Sequence, residues 1–238
     1  MEFFHALPLY GEAFLRLFYP SSCASCDQLL ELEEEGVCLS CRDQLQKLRF
    51  LPSEERIRVS LAYGDEAWSL YRYEDPLKEI LHQIKFRRRR RFLGIFKDEI
   101  AHFLKRRPEL AAYDLILPIP LDRKRRVERE FNQSGLLAKK FHNSMKMPES
   151  PSQPRLEPRI LAKKFSTPPQ SLLGKEARRS NLQGVFHVRR PHKIRNRSIL
   201  LMDDIFTTGA TLEEAAKTLK NAGASRVGYL TLARALSR

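Results

Sequence analysis

No apolar run in this sequence is long enough to cross a membrane. The longest uncharged hydrophobic stretches, residues 199–202 and 115–117, fall far short of the ~20 residues a spanning helix needs. No Gly-Lys-Ser/Thr follows a glycine-rich turn, which excludes a Walker phosphate loop. No cysteine lies outside residues 23–41, and the start of the chain lacks the basic region of an export signal. Acids are scarce relative to bases, 29 Asp and Glu against 43 Lys and Arg, for a formal charge of +14. Such an excess predicts attraction to polyanions such as nucleic acid, phosphorylated small molecules or an anionic membrane face; a solubilising surface is the plainer reading.

With 42% hydrophobic and 30% charged residues, the chain reads as globular, not disordered. Its 238 residues suffice for one full domain and a small appendage. Leu7, Phe14, Leu15 and Phe18 suggest a short amphipathic helix after Pro8, docked on its own domain. The expected location is cytoplasmic, with a peripheral position at the inner face of the membrane as the alternative.

The cysteines form two C-x-x-C pairs, Cys23 with Cys26 and Cys38 with Cys41, separated by eleven residues. Two thiolate hooks supply the four ligands of a closed tetrahedral Zn2+ site, here a compact knuckle with a structural role. Disulfides would suit an exported chain, and a redox dithiol normally uses one pair beside a βαβ pattern. Residues 1–52 are therefore expected to hold the N-terminal helix and the zinc-binding module, and residues 53–238 the main domain.

In the main domain, residues 57–63 and 68–73 read as strands of a hairpin turning at Gly64-Asp65. A helix is predicted after Asp75-Pro76, with the stripe Leu77, Ile80, Leu81 and Ile84, and another over residues 92–105. Residues 115–119 suit a buried parallel strand. A helix over 132–141, a strand over 156–161, a basic helix over 175–181 and strands over 185–188 and 199–203 follow. A helix over 211–222 ending at Gly223 and a strand over 226–232 complete the pattern. Strands alternating with helices predict an α/β fold with a mostly parallel central sheet flanked by helices.

The sharpest motif is Asp203-Asp204-Ile-Phe-Thr207-Thr208-Gly209-Ala210-Thr211, a buried strand followed by a loop and a helix. The loop offers three hydroxyls, one glycine and the amides of a helix N-terminus, which suit a phosphate monoester. Two acids beside a phosphate nest repel that anion, so they make sense facing neutral hydroxyls or a metal. A ribose 5-phosphate meets both demands; Asp capping of an ordinary strand–turn–helix is the plainer alternative.

This stretch is similar to the PRPP signature of type I phosphoribosyltransferases. The resemblance implies that Asp203 and Asp204 contact the ribose hydroxyls and stabilise the transition state, that Thr207, Thr208, Gly209, Ala210 and Thr211 hold the 5-phosphate, and that Mg2+ bridges pyrophosphate and ribose. Leu117-Pro-Ile-Pro-Leu121, Glu130-Phe-Asn-Gln133, Thr167-Pro-Pro-Gln170, Glu176-Ala-Arg-Arg-Ser-Asn181 and Leu230-Thr-Leu-Ala-Arg234, with the cysteine pairs, resemble the ComF/ComFC family nearly end to end. Members of that family are implicated in natural transformation and DNA uptake. By position, Pro120, Leu121, Asp122 and Arg123 match the loop that meets pyrophosphate, and residues 163–181 the mobile loop over bound PRPP. Glu130 stands where the family usually has Gly.

The run Arg87, Arg88, Arg89, Arg90 and Arg91 could track phosphates of single-stranded DNA, with Phe86 and Phe92 as stacking partners, or be a charged helix junction. The six histidines share no metal-ligand spacing. The expected function is a ComF-like DNA-uptake protein that binds PRPP with Mg2+ and single-stranded DNA, alongside other uptake-machinery proteins. The alternative is a metabolic phosphoribosyltransferase acting on an unidentified amine or base.

Overall fold

A computed structural model of the chain describes residues 21–58, 60–86, 89–122, 127–128, 130–145, 153–164 and 184–236. Two compact units emerge, one of residues 1–48 and 74–95, the other of residues 49–73 and 96–238. Among the described residues, no helix is long and apolar enough to cross a membrane.

The larger unit is built on a five-stranded sheet. Its strands are β1 (Glu66–Arg72), β2 (Leu115–Pro118), β3 (Arg155–Leu156), β6 (Ser198–Phe206) and β7 (Arg226–Arg234), in the order β1-β7-β6-β2-β3. Every neighbouring pair is parallel. Strands β4 (Leu161–Lys163) and β5 (Phe186–Val188) form a separate antiparallel pair. The sheet is mostly parallel and flanked by helices, as the alternation of elements predicts. In the central strand β6, Ile199, Leu200, Leu201 and Met202 are all fully buried, the mark of a strand covered on both faces.

Around it pack α3 (Lys97–Arg106), α4 (Gln133–Ser144) and α5 (Ala210–Asn221). Helix α5 buries Leu212, Ala215, Ala216 and Leu219, a spacing of 3, 4 and 7 that makes one apolar stripe. It stops at Gly223, whose φ of 97° allows the amide of Ala224 to reach Leu219 O at 3.0 Å and that of Gly223 to reach Lys220 O at 2.9 Å. That is the Schellman closure expected of a terminal glycine.

The predicted hairpin at Gly64-Asp65 does not form. Among the described residues of 57–63 none is in a strand, and β1 pairs in parallel with β7 instead. Gly64 has a different purpose: a Cβ there would stand 2.4 Å from the ring of Tyr229. Asp65 is held by β7, its carboxylate accepting the Val227 amide at 2.7 Å. Glu213, in the first turn of α5, accepts the amides of Ala62 and Tyr63 at 2.8 and 3.0 Å and so pins the segment as a loop. The single strand predicted over 156–161 is two strands in two sheets. After the Glu157 amide reaches Ile116 O, Pro158 has no N–H with which to continue the ladder. The helix predicted over 92–105 is a 3-10 turn (Arg90–Phe96) followed by α3.

Behind β1 a buried ion network closes the unit. Glu55, 1% exposed, accepts from Arg106 at 2.6 Å and Arg107 at 2.9 Å, and Arg106 also reaches Glu99 at 3.1 Å. The smaller unit holds α1 (Leu39–Lys47) and α2 (Leu77–Phe86) with the 3-10 turn. Helix α2 carries the predicted stripe, with Leu77, Ile80, Leu81 and Ile84 all buried.

Candidate phosphate-binding site and cysteine cluster

Sheet order places the candidate site. From β2 the chain crosses through α4 to β3 on one side, and from β6 through α5 to β7 on the other. Adjacent parallel strands whose connections diverge leave a crevice at their C-terminal ends, where ligands of open α/β sheets bind. The loop after β2 carries Pro120, Leu121 and Asp122; the end of β6 carries Asp203 and Asp204, followed by Thr207, Thr208 and Gly209. The structure thus brings both sequence-selected loops to one sheet edge. Arg123 lies outside the described residues, as does nearly all of the 163–181 segment.

β6 runs three residues past Asp203 in register with β7, so the acids sit within the strand and beyond the end of β2, which stops at the Pro118–Met202 pair. Asp203 Oδ1 accepts two hydrogen bonds, from Ser134 Oγ at 2.7 Å and from the Asp204 amide at 2.9 Å. Asp204 is buried. Asn132 Nδ2 donates to Ile119 O at 2.9 Å, tying the start of α4 to the other loop. Ser134 and Asn132 therefore brace both halves of the crevice. Ser134 drew no attention in the sequence because a serine in a helix's first turn is common and its partner lies 69 residues away.

The loop after β6 has the shape of an anion cradle. Gly209 has φ 76°, and a Cβ on it would come within 2.7 Å of the Phe206 ring, so only glycine fits. Thr207 and Thr208 are exposed. The Glu213 amide makes the first helical bond, to Gly209 O. The amides of Thr211 and Leu212 precede it, at the positive end of the α5 dipole. Asp122 on the facing loop is 1% exposed, with Lys163 Nζ 3.9 Å from its Oδ2.

Glu130 has φ 60°, the left-handed region. A glycine is at ease there, which gives a backbone reason for the Gly of the family pattern.

In the smaller unit the four sulfurs of Cys23, Cys26, Cys38 and Cys41 lie within 4.8 Å of one another, and Cys26 and Cys38 are 3.8 Å apart. A tetrahedral zinc–sulfur site with bonds of about 2.3 Å spaces its sulfurs about 3.8 Å apart, so the cluster fits a metal ion such as zinc. Amides of Ser25 and Cys38 point at Cys23 Sγ, at 3.5 and 3.4 Å. Burial raises the Cys23 thiol, but backbone hydrogen bonds from Cys26, Cys38 and Ser25 outweigh it and bring the pKa down to about 7. Burial first, then the neighbouring Cys38 thiol, pushes Cys41 up to about 12. Gly36, at φ 73°, leaves room for the Ile95 side chain, which a Cβ would meet at 2.9 Å. Glu34 accepts the amides of Glu31 at 2.8 Å and Leu39 at 2.7 Å, which caps α1 and lowers its own pKa.

Of the basic run, Arg87 and Arg88 lie outside the described residues. Phe92 is 1% exposed, which removes it as a stacking partner: it is core, with Arg89 and Arg91 lying over its ring at 5.7 and 5.3 Å. Phe86 is exposed, with His82 against its ring. Arg89 is half-buried, and Arg90 and Arg91 are exposed.

Residues 136–238 match the phosphoribosyl transferase domain family. The chain is 31% identical over 225 residues to competence protein ComFC of Bacillus subtilis (strain 168), covering 84% of this chain and 85% of that one. It is 30% identical over 168 residues to the DNA utilization protein YhgH of Escherichia coli O6:H1, covering 69% and 70%. To competence protein F of Haemophilus influenzae the identity is 25% over 233 residues, covering 92% and 99%.

Proposed function

Since the chain belongs to the ComF family of competence and DNA utilization proteins, we propose that it binds PRPP with Mg2+ in the crevice between β2 and β6 and handles single-stranded DNA. The observation that carries this reading is the pairing of a glycine-locked loop at the N-terminus of α5 with an acid doublet braced from α4. Thr207, Thr208 and the amides from Gly209 to Thr211 hold the 5-phosphate. Asp203 and Asp204 face the ribose diol, where a carboxylate accepts from neutral hydroxyls without repulsion. Pro120, Leu121 and Asp122 lie on the pyrophosphate side, and Arg123 is next in the sequence.

Mg2+ keeps several waters and takes one or two carboxylates together with substrate phosphates, which the doublet fits. Bound there, it would carry charge that develops on pyrophosphate as the anomeric bond weakens. The chain's own contribution is to fix the sugar phosphate and to keep negative charge beside the ring as positive charge grows on it. In the smaller unit Cys23, Cys26, Cys38 and Cys41 hold a structural Zn2+ with no open position.

Calorimetry with PRPP and Mg2+ tests the reading. Micromolar binding by the wild type, lost in Asp204→Ala, supports it; no heat from the wild type refutes it. Pyrophosphate release is then followed with and without single-stranded DNA and candidate amines or bases. Release that depends on an amine or base and ignores DNA would make the chain a metabolic transferase instead.

A further inference from the structure

The opposite edge of the sheet carries a second concentration of positive charge. Residues 189–197, Arg-Arg-Pro-His-Lys-Ile-Arg-Asn-Arg, hold five Lys and Arg, one His and no acid. They form a tight turn, not a loose loop. Ile194 is fully buried as its anchor, the Lys193 amide reaches Arg190 O at 3.0 Å, and the Asn196 amide reaches Gly223 O at 2.8 Å. Apart from Lys193 and Ile194, the other seven are exposed. Beside this turn a groove of about 410 Å³ opens at the N-terminal ends of β2 and β3, with Arg155, His192, Lys193 and Arg197 on its walls.

The acids in the groove are committed to the protein. Asp114 accepts from the Ser198 amide and hydroxyl at 2.8 and 2.7 Å and from Arg197 at 2.9 Å. Glu157 pairs with Lys193 at 3.1 Å. Among the described residues Arg155, Arg189, Arg190 and Arg195 have no ion pair, so the local excess is positive.

We infer that this groove and the 189–197 turn form a track for the phosphate backbone of single-stranded nucleic acid, an inference that rests on the DNA-handling reading above and gives it a location. A concave, cation-lined channel matches a chain of phosphates. An anionic membrane fits less well: none of the exposed large apolar side chains lies in 153–157 or 189–197, so nothing there would enter the lipid. The track is separate from the sugar-phosphate crevice. Strand β6 spans the distance between them, and its nine residues put the two edges roughly 30 Å apart.

The test measures binding of a fluorescent oligothymidylate across a salt series. The full chain is compared with Arg155→Ala/Arg190→Ala/Arg195→Ala, with Arg155→Lys, and with a control of equal charge loss on exposed positions of other surfaces, Lys47→Ala/Lys105→Ala/Lys139→Ala. Each lost phosphate contact on a single strand lowers the slope of log K against log salt by about 0.7. The triple variant should therefore lose about 2 from the slope and roughly fifty-fold in affinity at 0.15 M salt. Arg155→Lys and the control should stay within about threefold of the wild type, because a point charge suffices for a phosphate. An unchanged thermal transition in the triple variant excludes misfolding. Binding by the wild type that the triple variant retains would overturn the track and leave the DNA reading standing. No binding by the wild type would sink that reading itself. Loss of binding to phosphatidylglycerol vesicles in place of the oligonucleotide would make the surface a membrane contact and overturn the inference.

Discussion

Replacing Gly209 with alanine tests the loop at its tightest point. The residue has φ 76°, where an L side chain costs about 1–2 kcal/mol. The added Cβ would also stand 2.7 Å from Cζ and 3.1 Å from Cε2 of Phe206, whose ring is 5% exposed in the packed core beneath α5. Opening that contact to ordinary distance displaces a ring that has nowhere free to go, and overpacking of this kind costs about 1–3 kcal/mol. The two effects sum to about 2–5 kcal/mol, a fall of roughly 4–20 °C in melting temperature for a unit of this size. Phe206→Leu should return part of the loss in the double variant, since it relieves the clash and leaves the dihedral strain. Differential scanning calorimetry on the four proteins of the cycle measures that coupling. PRPP affinity in Gly209→Ala should drop about tenfold or more as the loop amides shift, a change of about 1.4 kcal/mol. A variant that melts within a degree of wild type, with additive effects in the cycle, would refute this account of the glycine.

Glu130→Gly should stabilise the protein by about 1 kcal/mol, since glycine adopts its φ of 60° without strain; a raised urea midpoint checks it. Ser134→Ala removes the hydroxyl that fixes Asp203 at 2.7 Å and should weaken PRPP binding about fivefold with little change in melting temperature, read by calorimetry. Freshly purified, reduced protein should contain about one equivalent of zinc by elemental analysis. Chelation or Cys38→Ser should cost helical signal from α1, whose first residue follows Cys38, and the transition of the larger unit should persist.

What could be read in the sequence was local. The cysteine pairs, the Asp-Asp-x-x-Thr-Thr-Gly-Ala-Thr loop and the α5 stripe ending at Gly223 each owe their form to residues a few positions apart, so spacing alone exposes them. What misled depended on distant partners. Gly64-Asp65 has the composition of a turn, yet Gly64 is small to admit the Tyr229 ring and Asp65 serves the Val227 amide, 162 residues away. Phe92 beside arginines resembles a stacking platform until the fold buries it. Glu130 is the instructive case. Its departure from the family's glycine was visible in the letters, but its meaning, a residue in the left-handed region, needs the backbone angle.

Strand order, more than any one side chain, decides what can meet at the crevice. Were β2 and β6 not neighbours, Ser134 at the start of α4 could not reach Asp203, and the acid doublet would lack its brace. Because their connections run opposite ways, α4 orients the acids and α5 supplies the amides, so a sugar phosphate bound as proposed would be gripped by two helices that share no sequence neighbourhood. A ligand carrying only a phosphate would engage the α5 loop and meet repulsion from the doublet; a ligand carrying only a diol would forgo the helix dipole. A sugar phosphate satisfies both halves at once. Ribose 5-phosphate should therefore bind more tightly than inorganic phosphate or ribose in the same titration, and equal affinities for phosphate and ribose 5-phosphate would remove the acids from the recognition.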